Sequence, residues 1–148
     1  MFKHILIPTD GSALSTKAAR AAIAFAKQTG ARVTGYYALH KVSRGVYGDG
    51  YDLASRKDAA NLRLHLRRAA VKHVDTVARM ARDAGVRFDA LVNEAAAPYE
   101  GIVNAARSRD CDAIFIASHG RRGLPRLMLG SVTHKVLTHS KIPVLVYR

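Results

Sequence analysis

Short apolar segments alternate with helix-like segments along the whole chain. The first apolar segment, HILIPT (4–9), precedes a stretch in which apolar residues recur at helical spacing: Ala18, Ala19, Ala22, Ile23 and Ala26. Residues spaced three and four apart share one face of a helix, and Gly30 follows as a typical helix end. The chain is therefore predicted to begin with a buried strand and an amphipathic helix.

The same alternation continues to the C-terminus. Further strands are predicted at 32–39, 86–92, 112–118 and 142–148, and further helices at 54–84, from Pro98 onward, and at 131–140. Residues 40–54 are predicted to form a loop. We expect the inner stripe of the long helix to comprise Leu62, Leu66, Ala69, Ala70, His73, Val77 and Ala81, and the next helix to bury Ile102, Val103 and Ala106.

Near-continuous apolar strands that alternate with helices are typical of a parallel sheet covered by helices on both faces. Right-handed crossovers then favour an α/β fold with a doubly wound five-stranded parallel sheet in the order 3-2-1-4-5. The length of 148 residues fits one domain, so 1–148 is interpreted as a single domain.

A ligand is expected where the chain order reverses, in the crevice at the carboxyl ends of the first and fourth strands. The loops predicted to meet there are PTDGS (8–12) and SHGRRGLPRLMLGS (118–131). In the second loop, Gly120, Gly123 and Gly130 would let backbone amides approach an anion, and Ser131 opens a helix whose N-terminus favours negative charge. The signal is weak alone, and the pattern of a P-loop is absent.

Both loops, together with the closing segment IPVLVYR, resemble the universal stress protein family over essentially the full chain. The nucleotide-binding branch of that family carries G-x2-G-x9-G-[ST], which falls here on Ala117, Gly120, Gly130 and Ser131. The resemblance implies a doubly wound fold, ATP as the ligand, with or without Mg²⁺, and a homodimer formed through the last strand. It also implies a stress-response or regulatory role.

Site residues also follow from the resemblance. It implies that Asp10 contacts the ribose or a metal-linked phosphate and that Ala38 contacts adenine. The full set of implied nucleotide-binding residues is Pro8, Thr9, Asp10, Ala38, Ile116, Ala117, Gly120, Gly130, Ser131, Val132 and Thr133. Ala117 departs from the family glycine, and its methyl group is easily accepted only if its φ is negative.

Other polar residues have simpler interpretations. The simpler alternative for Asp10 is that it caps the following helix and contacts no ligand. For Arg121, Arg122 and Arg126, the alternatives are contact with phosphate or a solvated basic surface. Ser118 and His119 are adjacent on a strand end and are not expected to face one another, so no catalytic residue is predicted. Cys111 is interpreted as a small core residue and His73 as semi-buried rather than a metal ligand, and no metal site is predicted. Of Tyr36 and Tyr37, at most one is expected to line the crevice.

The net charge of +13 leaves other functions open. Besides nucleotide binding with at most slow hydrolysis, non-specific nucleic-acid binding through the basic surface and a protein interaction module that binds no nucleotide remain alternatives. The N-terminal apolar segment is too short for a signal peptide, and no apolar run approaches the roughly eighteen residues that span a bilayer. A cytoplasmic location without a membrane partner is the expectation.

Overall fold

The computed structural model describes residues 1–41, 53–120 and 128–148, with the side chains of 53–56 excepted. The strands are β1 (His4–Pro8), β2 (Arg32–His40), β3 (Phe88–Ala95), β4 (Ala113–Ala117) and β5 (Val144–Tyr147). The helices are α1 (Ala13–Thr29), α2 (Leu53–Ala84), α3 (Pro98–Ser108) and α4 (Ser131–His139).

All five strands are parallel and lie in the order β3-β2-β1-β4-β5, as predicted. β1 lies at the centre, where Ile5 pairs with both Val33 of β2 and Ala113 of β4. The chain therefore winds outward from β1 in one direction and outward from β4 in the other, which places the reversal between these two strands.

The helices cover the two faces of the sheet in pairs. One core cluster joins Ile5 and Ile7 of β1 to buried residues of α1 and α2, among them Ala22 and Val77. The other joins residues such as Leu6 to buried residues of α3 and α4. Because alternate residues of a strand point to opposite faces, the five consecutive buried residues of β1 supply both cores.

Helix α1 follows its sequence signals closely. The side chain of Ser12 caps its N-terminus by accepting a hydrogen bond from the Ser15 amide at 3.1 Å. Gly30 ends it in the left-handed region with φ 72°, a conformation that glycine adopts without steric cost. The five apolar residues predicted to face inward are all buried.

Helix α2 departs from its predicted stripe in the first half. Leu62 and Leu66 are 50% and 41% exposed, whereas Ala70, Val74, Val77 and Ala81 are buried. The Arg63 guanidinium lies 4.0 Å from Glu94, next to the last residue of β3, so the helix upstream of this point extends past the end of that strand. The prediction was wrong for both leucines. Leu62 lies upstream of Arg63 and thus beyond the end of β3, so among the described residues its face of the helix has no strand to pack on.

Smaller corrections concern α3 and the strand bounds. Val103 is half-buried, and the fully buried positions of α3 are Gly101, Ile102, Ala105 and Ala106. β3 begins and ends later than the predicted 86–92, and β2 continues through His40, inside the segment predicted as a loop. Pro98 occupies the first turn of α3 as predicted.

Cys111 is a buried core residue with a free thiol, as predicted. Burial raises the pKa of this thiol to about 12, so it stays protonated and weakly nucleophilic. Across the described part of the chain, no helix combines the length and apolarity needed to cross a membrane.

His4 introduces a pH-dependent term into stability. Its ring is 4% exposed, its Nε2 lies 2.8 Å from Thr34 Oγ1, and its Nδ1 has no hydrogen-bond partner among the described residues. Burial, assisted by the charge of Arg32, lowers its pKa below the ordinary 6.5. The unfolded chain therefore takes up a proton at a higher pH than the folded chain does.

We expect the free energy of unfolding to fall as the pH drops below about 6.5, the unfolded pKa, and to fall less in His4→Leu. Urea titrations at about pH 7.5 and about pH 5.5 measure both slopes. His65→Leu, at an exposed histidine of α2, is the matched control and should behave like the wild type. Equal pH sensitivity of His4→Leu and the wild type would contradict this account.

Candidate functional site

A cavity of about 480 Å³ opens at the carboxyl ends of β1, β2 and β4. Its size falls in the range of small-molecule sites, and it lies at the predicted reversal of strand order. All the residues implied by the family resemblance line it: Pro8, Thr9, Asp10, Ala38, Ile116, Ala117, Gly120, Gly130, Ser131, Val132 and Thr133. The fold thus brings them together, while their roles toward a ligand stay predictions.

The turn after β1 holds Asp10 in a fixed orientation. Its Oδ1 accepts a hydrogen bond from the Ser12 amide at 2.9 Å, while Thr9 Oγ1 accepts one from the Gly11 amide at 3.2 Å. The N-cap of α1 is Ser12, so capping does not account for the presence of an aspartate at position 10. Its carboxylate lies in the wall of the cavity.

Gly11 is required both by its backbone and by its neighbour on α2. Its φ is 78°, and any side chain there would overlap the ring of His73. His73 is half-buried, as predicted, and stacks on Tyr37 with ring centroids 5.7 Å apart and an angle of 11° between planes. The imidazole therefore supports two parts of the cavity wall from the α2 side.

Helix α4 presents an uncapped N-terminus to the cavity. Gly130 is its N-cap residue and makes no side-chain cap, and the first intrahelical bond runs from the His134 amide to the Gly130 carbonyl at 2.9 Å. The amides of Ser131, Val132 and Thr133 precede that bond and have no acceptor within the helix. These three residues line the cavity, so the positive end of the helix faces it.

Gly120 and Gly130, the two glycines of the family pattern, are required because neighbouring atoms lie close to them, and neither has a positive φ. A side chain at Gly120 would overlap the Oδ2 of Asp10, which brings the second loop against the first. A Cβ at Gly130 would lie 3.0 Å from His119 Cα and 3.1 Å from the Ser118 carbonyl oxygen. That same oxygen accepts the Gly130 amide at 2.7 Å and so ties α4 to the end of β4.

Ala117 fits its position without backbone strain. It is the last residue of β4, pairs with Tyr147 of β5, and is not among the described non-glycine residues with positive φ. The departure from the family glycine therefore adds a methyl group to the cavity region and leaves the backbone unstrained. The Ala117 carbonyl accepts a hydrogen bond from the Thr133 hydroxyl at 2.8 Å. The proton of that buried hydroxyl is therefore already used in a hydrogen bond.

The end of β2 offers unpaired backbone groups at Ala38. In a parallel strand the amide and carbonyl of one residue point to the same side, and successive residues alternate. Tyr36 faces β1, since its carbonyl accepts the Thr9 amide at 2.8 Å, whereas Lys41 faces β3, since its amide donates to Ala95 at 3.2 Å. Ala38 therefore faces the β1 side, where β1 has already ended at Pro8.

Six cavity residues lie outside the set that the sequence indicated: Ser15, Tyr36, Tyr37, Pro98, Ile102 and His119. Pro98 and Ile102 could have been found, because α3 follows β3 and so begins at the same edge of the sheet. Ser15 lies in the first turn of α1, where only the packing of Thr9 against it, at 3.2 Å between hydroxyl oxygens, reveals its position.

The rings of Tyr36 and Tyr37 lie on opposite sides of β2, as predicted: Tyr36 is fully buried with its hydroxyl donating to Asn93 Oδ1 at 2.7 Å, and Tyr37 stacks against His73. Both residues border the cavity. The prediction for the next pair was wrong. Ser118 and His119 do face one another, with 3.2 Å between Oγ and Nδ1. The end of the strand at Ala117 frees these two residues from strict alternation.

Some predictions lie outside the described residues. These are the contacts of Arg121, Arg122 and Arg126, the place of Gly123, and residues 42–52 of the loop predicted over 40–54. Among the residues that are described, no group of three His, Cys, Asp or Glu side chains could hold a metal ion.

The fold and the cavity define a doubly wound α/β protein with a cavity of ligand size at the point where the strand order reverses. The family model of the universal stress protein family matches residues 1–148. The chain therefore belongs to that family.

Two related universal stress proteins match over the whole chain. The chain is 33% identical to universal stress protein MJ0531 of Methanocaldococcus jannaschii, with 100% of this chain and 83% of the relative covered. It is 30% identical to universal stress protein YxiE of Bacillus subtilis, with 100% of both covered.

Solved structures share the fold. The structure of MJ0577, described as a structure-based assignment of biochemical function, superposes with a TM-score of 0.82 at 27% identity and covers 99% of this chain and 95% of its own. A universal stress protein in complex with cAMP gives a TM-score of 0.71 at 23% identity, covering 99% and 97%. One from Archaeoglobus fulgidus in complex with dAMP gives 0.66 at 18%, covering 100% and 98%.

Proposed function

We propose that the cavity binds an adenine nucleotide, with ATP as the expected ligand, and that the protein acts as a cytoplasmic stress-response or regulatory protein with little or slow hydrolysis. The observation that carries the proposal is the pairing of two features in one cavity. The free backbone edge at Ala38 suits a base, and the uncapped N-terminus of α4 suits phosphate.

The spacing of these two features supports the assignment. The order β2-β1-β4 places Ala38 and the segment that follows β4 two strand spacings apart, which is about 10 Å. A nucleotide of that extent would lay its ribose across the end of β1, beside Asp10. Two proteins of this fold are described with cAMP and dAMP, so the fold accommodates adenine nucleotides.

The Ala38 edge also favours adenine over guanine. It offers one donor and one acceptor, which match the N1 acceptor and N6 amino donor of adenine. Guanine carries an acceptor at O6 and a donor at N1, in the reverse order along the same edge. A base held in one orientation by its ribose would therefore pair correctly only as adenine, and ATP should bind more tightly than GTP.

Phosphate binding rests on the amides of Ser131, Val132 and Thr133. Any Mg²⁺ would enter with the nucleotide and would offset the repulsion between phosphate and the Asp10 carboxylate. Asp10 and the α4 terminus would then act on opposite sides of the same ligand.

A negative charge introduced at the α4 N-terminus should weaken ATP binding without lowering the stability of the free protein. We expect ATP to stabilise the wild type by about 2.7 kcal/mol at a hundredfold excess over Kd. Ser131→Glu should abolish this stabilisation, because a carboxylate at the first turn repels phosphate. The same change should leave the free protein as stable or slightly more so, because it complements the helix dipole. Differential scanning fluorimetry measures both effects.

Thr138→Glu is the matched control, since it makes the same charge change at an exposed residue in the last turn of α4. It should retain the ATP shift. The proposal fails if ATP, ADP and AMP give no shift in the wild type, or if Ser131→Glu keeps the full shift. A salt-sensitive shift given equally by a short DNA duplex would favour non-specific nucleic-acid binding instead.

We also propose a homodimer through β5. Both β3 and β5 are edge strands, but β3 carries the exposed charges Asp89 and Glu94, which guard an edge against pairing. β5 consists of Val144, Leu145, Val146 and Tyr147, all half-buried and without charge. Light scattering at micromolar concentration should give twice the mass of the chain, and a monomer would contradict the proposal.

A further inference from the structure

Ser118 and His119 form a rigid pair at the cavity mouth. The Ser118 amide donates to the Tyr147 carbonyl at 2.7 Å, and the Ser118 carbonyl accepts the Gly130 amide at 2.7 Å. These bonds fix the backbone of Ser118 between β5 and α4. Its side chain is buried and lies 3.2 Å from His119 Nδ1, while His119 lines the cavity.

This contact selects one tautomer of the His119 ring. A buried hydroxyl proton without an acceptor is costly, and His119 Nδ1 is the acceptor that Ser118 Oγ meets among the described residues. Ser118 therefore donates to Nδ1. In the neutral ring, an accepting Nδ1 requires the proton to reside on Nε2.

We propose that His119 is a ligand-contacting residue that donates its Nε2 proton to a phosphate oxygen, and that Ser118 is a positioning residue that fixes the tautomer. This inference rests on the proposed nucleotide site. His119 lies in the chain next to Gly120, which abuts Asp10, and its Cα would lie 3.0 Å from a Cβ at Gly130. Its backbone therefore lies beside the N-cap residue of α4 and next in the chain to the residue that abuts Asp10.

An additional hydrogen-bond donor in this cavity would strengthen phosphate binding. Thr133, the buried hydroxyl among the implied nucleotide-binding residues, already donates to the Ala117 carbonyl at 2.8 Å and can offer phosphate only its lone pairs. Asp10 adds negative charge to the same cavity. An Nε2–H donor from the ring would add to the three α4 amides.

The decisive comparison is between ATP and adenosine, which shares the base and ribose but lacks phosphate. By calorimetry, His119→Ala should weaken ATP binding about tenfold, the loss typical of one hydrogen bond to a charged group, and leave adenosine binding unchanged. His134→Ala, at an exposed histidine of α4 outside the cavity, is the matched control and should bind both ligands as the wild type does.

The tautomer is measured separately by ¹⁵N NMR of the histidine side chains. The wild type should show His119 unprotonated at Nδ1 and protonated at Nε2, and Ser118→Ala should show a mixture of tautomers. Ser118→Ala should also weaken ATP binding by a smaller factor than His119→Ala does. A purely structural role for Ser118 would leave the tautomer signals unmoved.

Three results would overturn the inference: unchanged ATP affinity in His119→Ala, an equal loss of ATP and adenosine affinity, or a wild-type ring protonated at Nδ1. If the wild type binds neither ATP nor adenosine, the proposed function fails on its own. Titration with pyrophosphate then decides the His119 role, because a shift of its Nε2 signal supports the contact and an unmoved signal excludes it.

Discussion

The pairing of β1 with β4 is the constraint on which the rest of the molecule depends. Ile5 lies beside Ala113 and Leu6 beside Ile114, so two segments distant in sequence run side by side through the centre of the sheet. The chain then leaves β1 toward the face covered by α1 and α2, and leaves β4 toward the face covered by α3 and α4. The diverging connections leave a cavity between them, and the residues that follow both strands become its walls.

The chemistry of the cavity follows from backbone groups that the secondary structure leaves unpaired. β2 extends past the end of β1, which frees the edge of Ala38, and α4 begins at a glycine that makes no side-chain cap. Unpaired amides and carbonyls that face a cavity are available to bond to a ligand in place of water. The glycines at 120 and 130 contribute by allowing the loops to approach one another closely.

The sequence was sufficient for the topology and for most of the cavity wall. Periodicity located α1 to within a few residues, and the reversal rule placed the two loops together before any contact was known. Leu62 was misplaced because helical periodicity shows which face is apolar and does not show how far the neighbouring sheet extends. Ser118 and His119 were misjudged because strand alternation was extended one step beyond the last paired residue, Ala117.

The central claim is that the Ala38 edge and the α4 N-terminus bind one adenine nucleotide together. A ¹H–¹⁵N correlation spectrum recorded during an ATP titration tests this directly, because each amide reports separately. We expect the signals of Ala38, Ser131, Val132 and Thr133 to shift with one common Kd, while those of α2 at Arg79 and Arg82 stay in place. Shifts confined to Arg79 and Arg82 of α2, or different affinities at Ala38 and at α4, would contradict the claim.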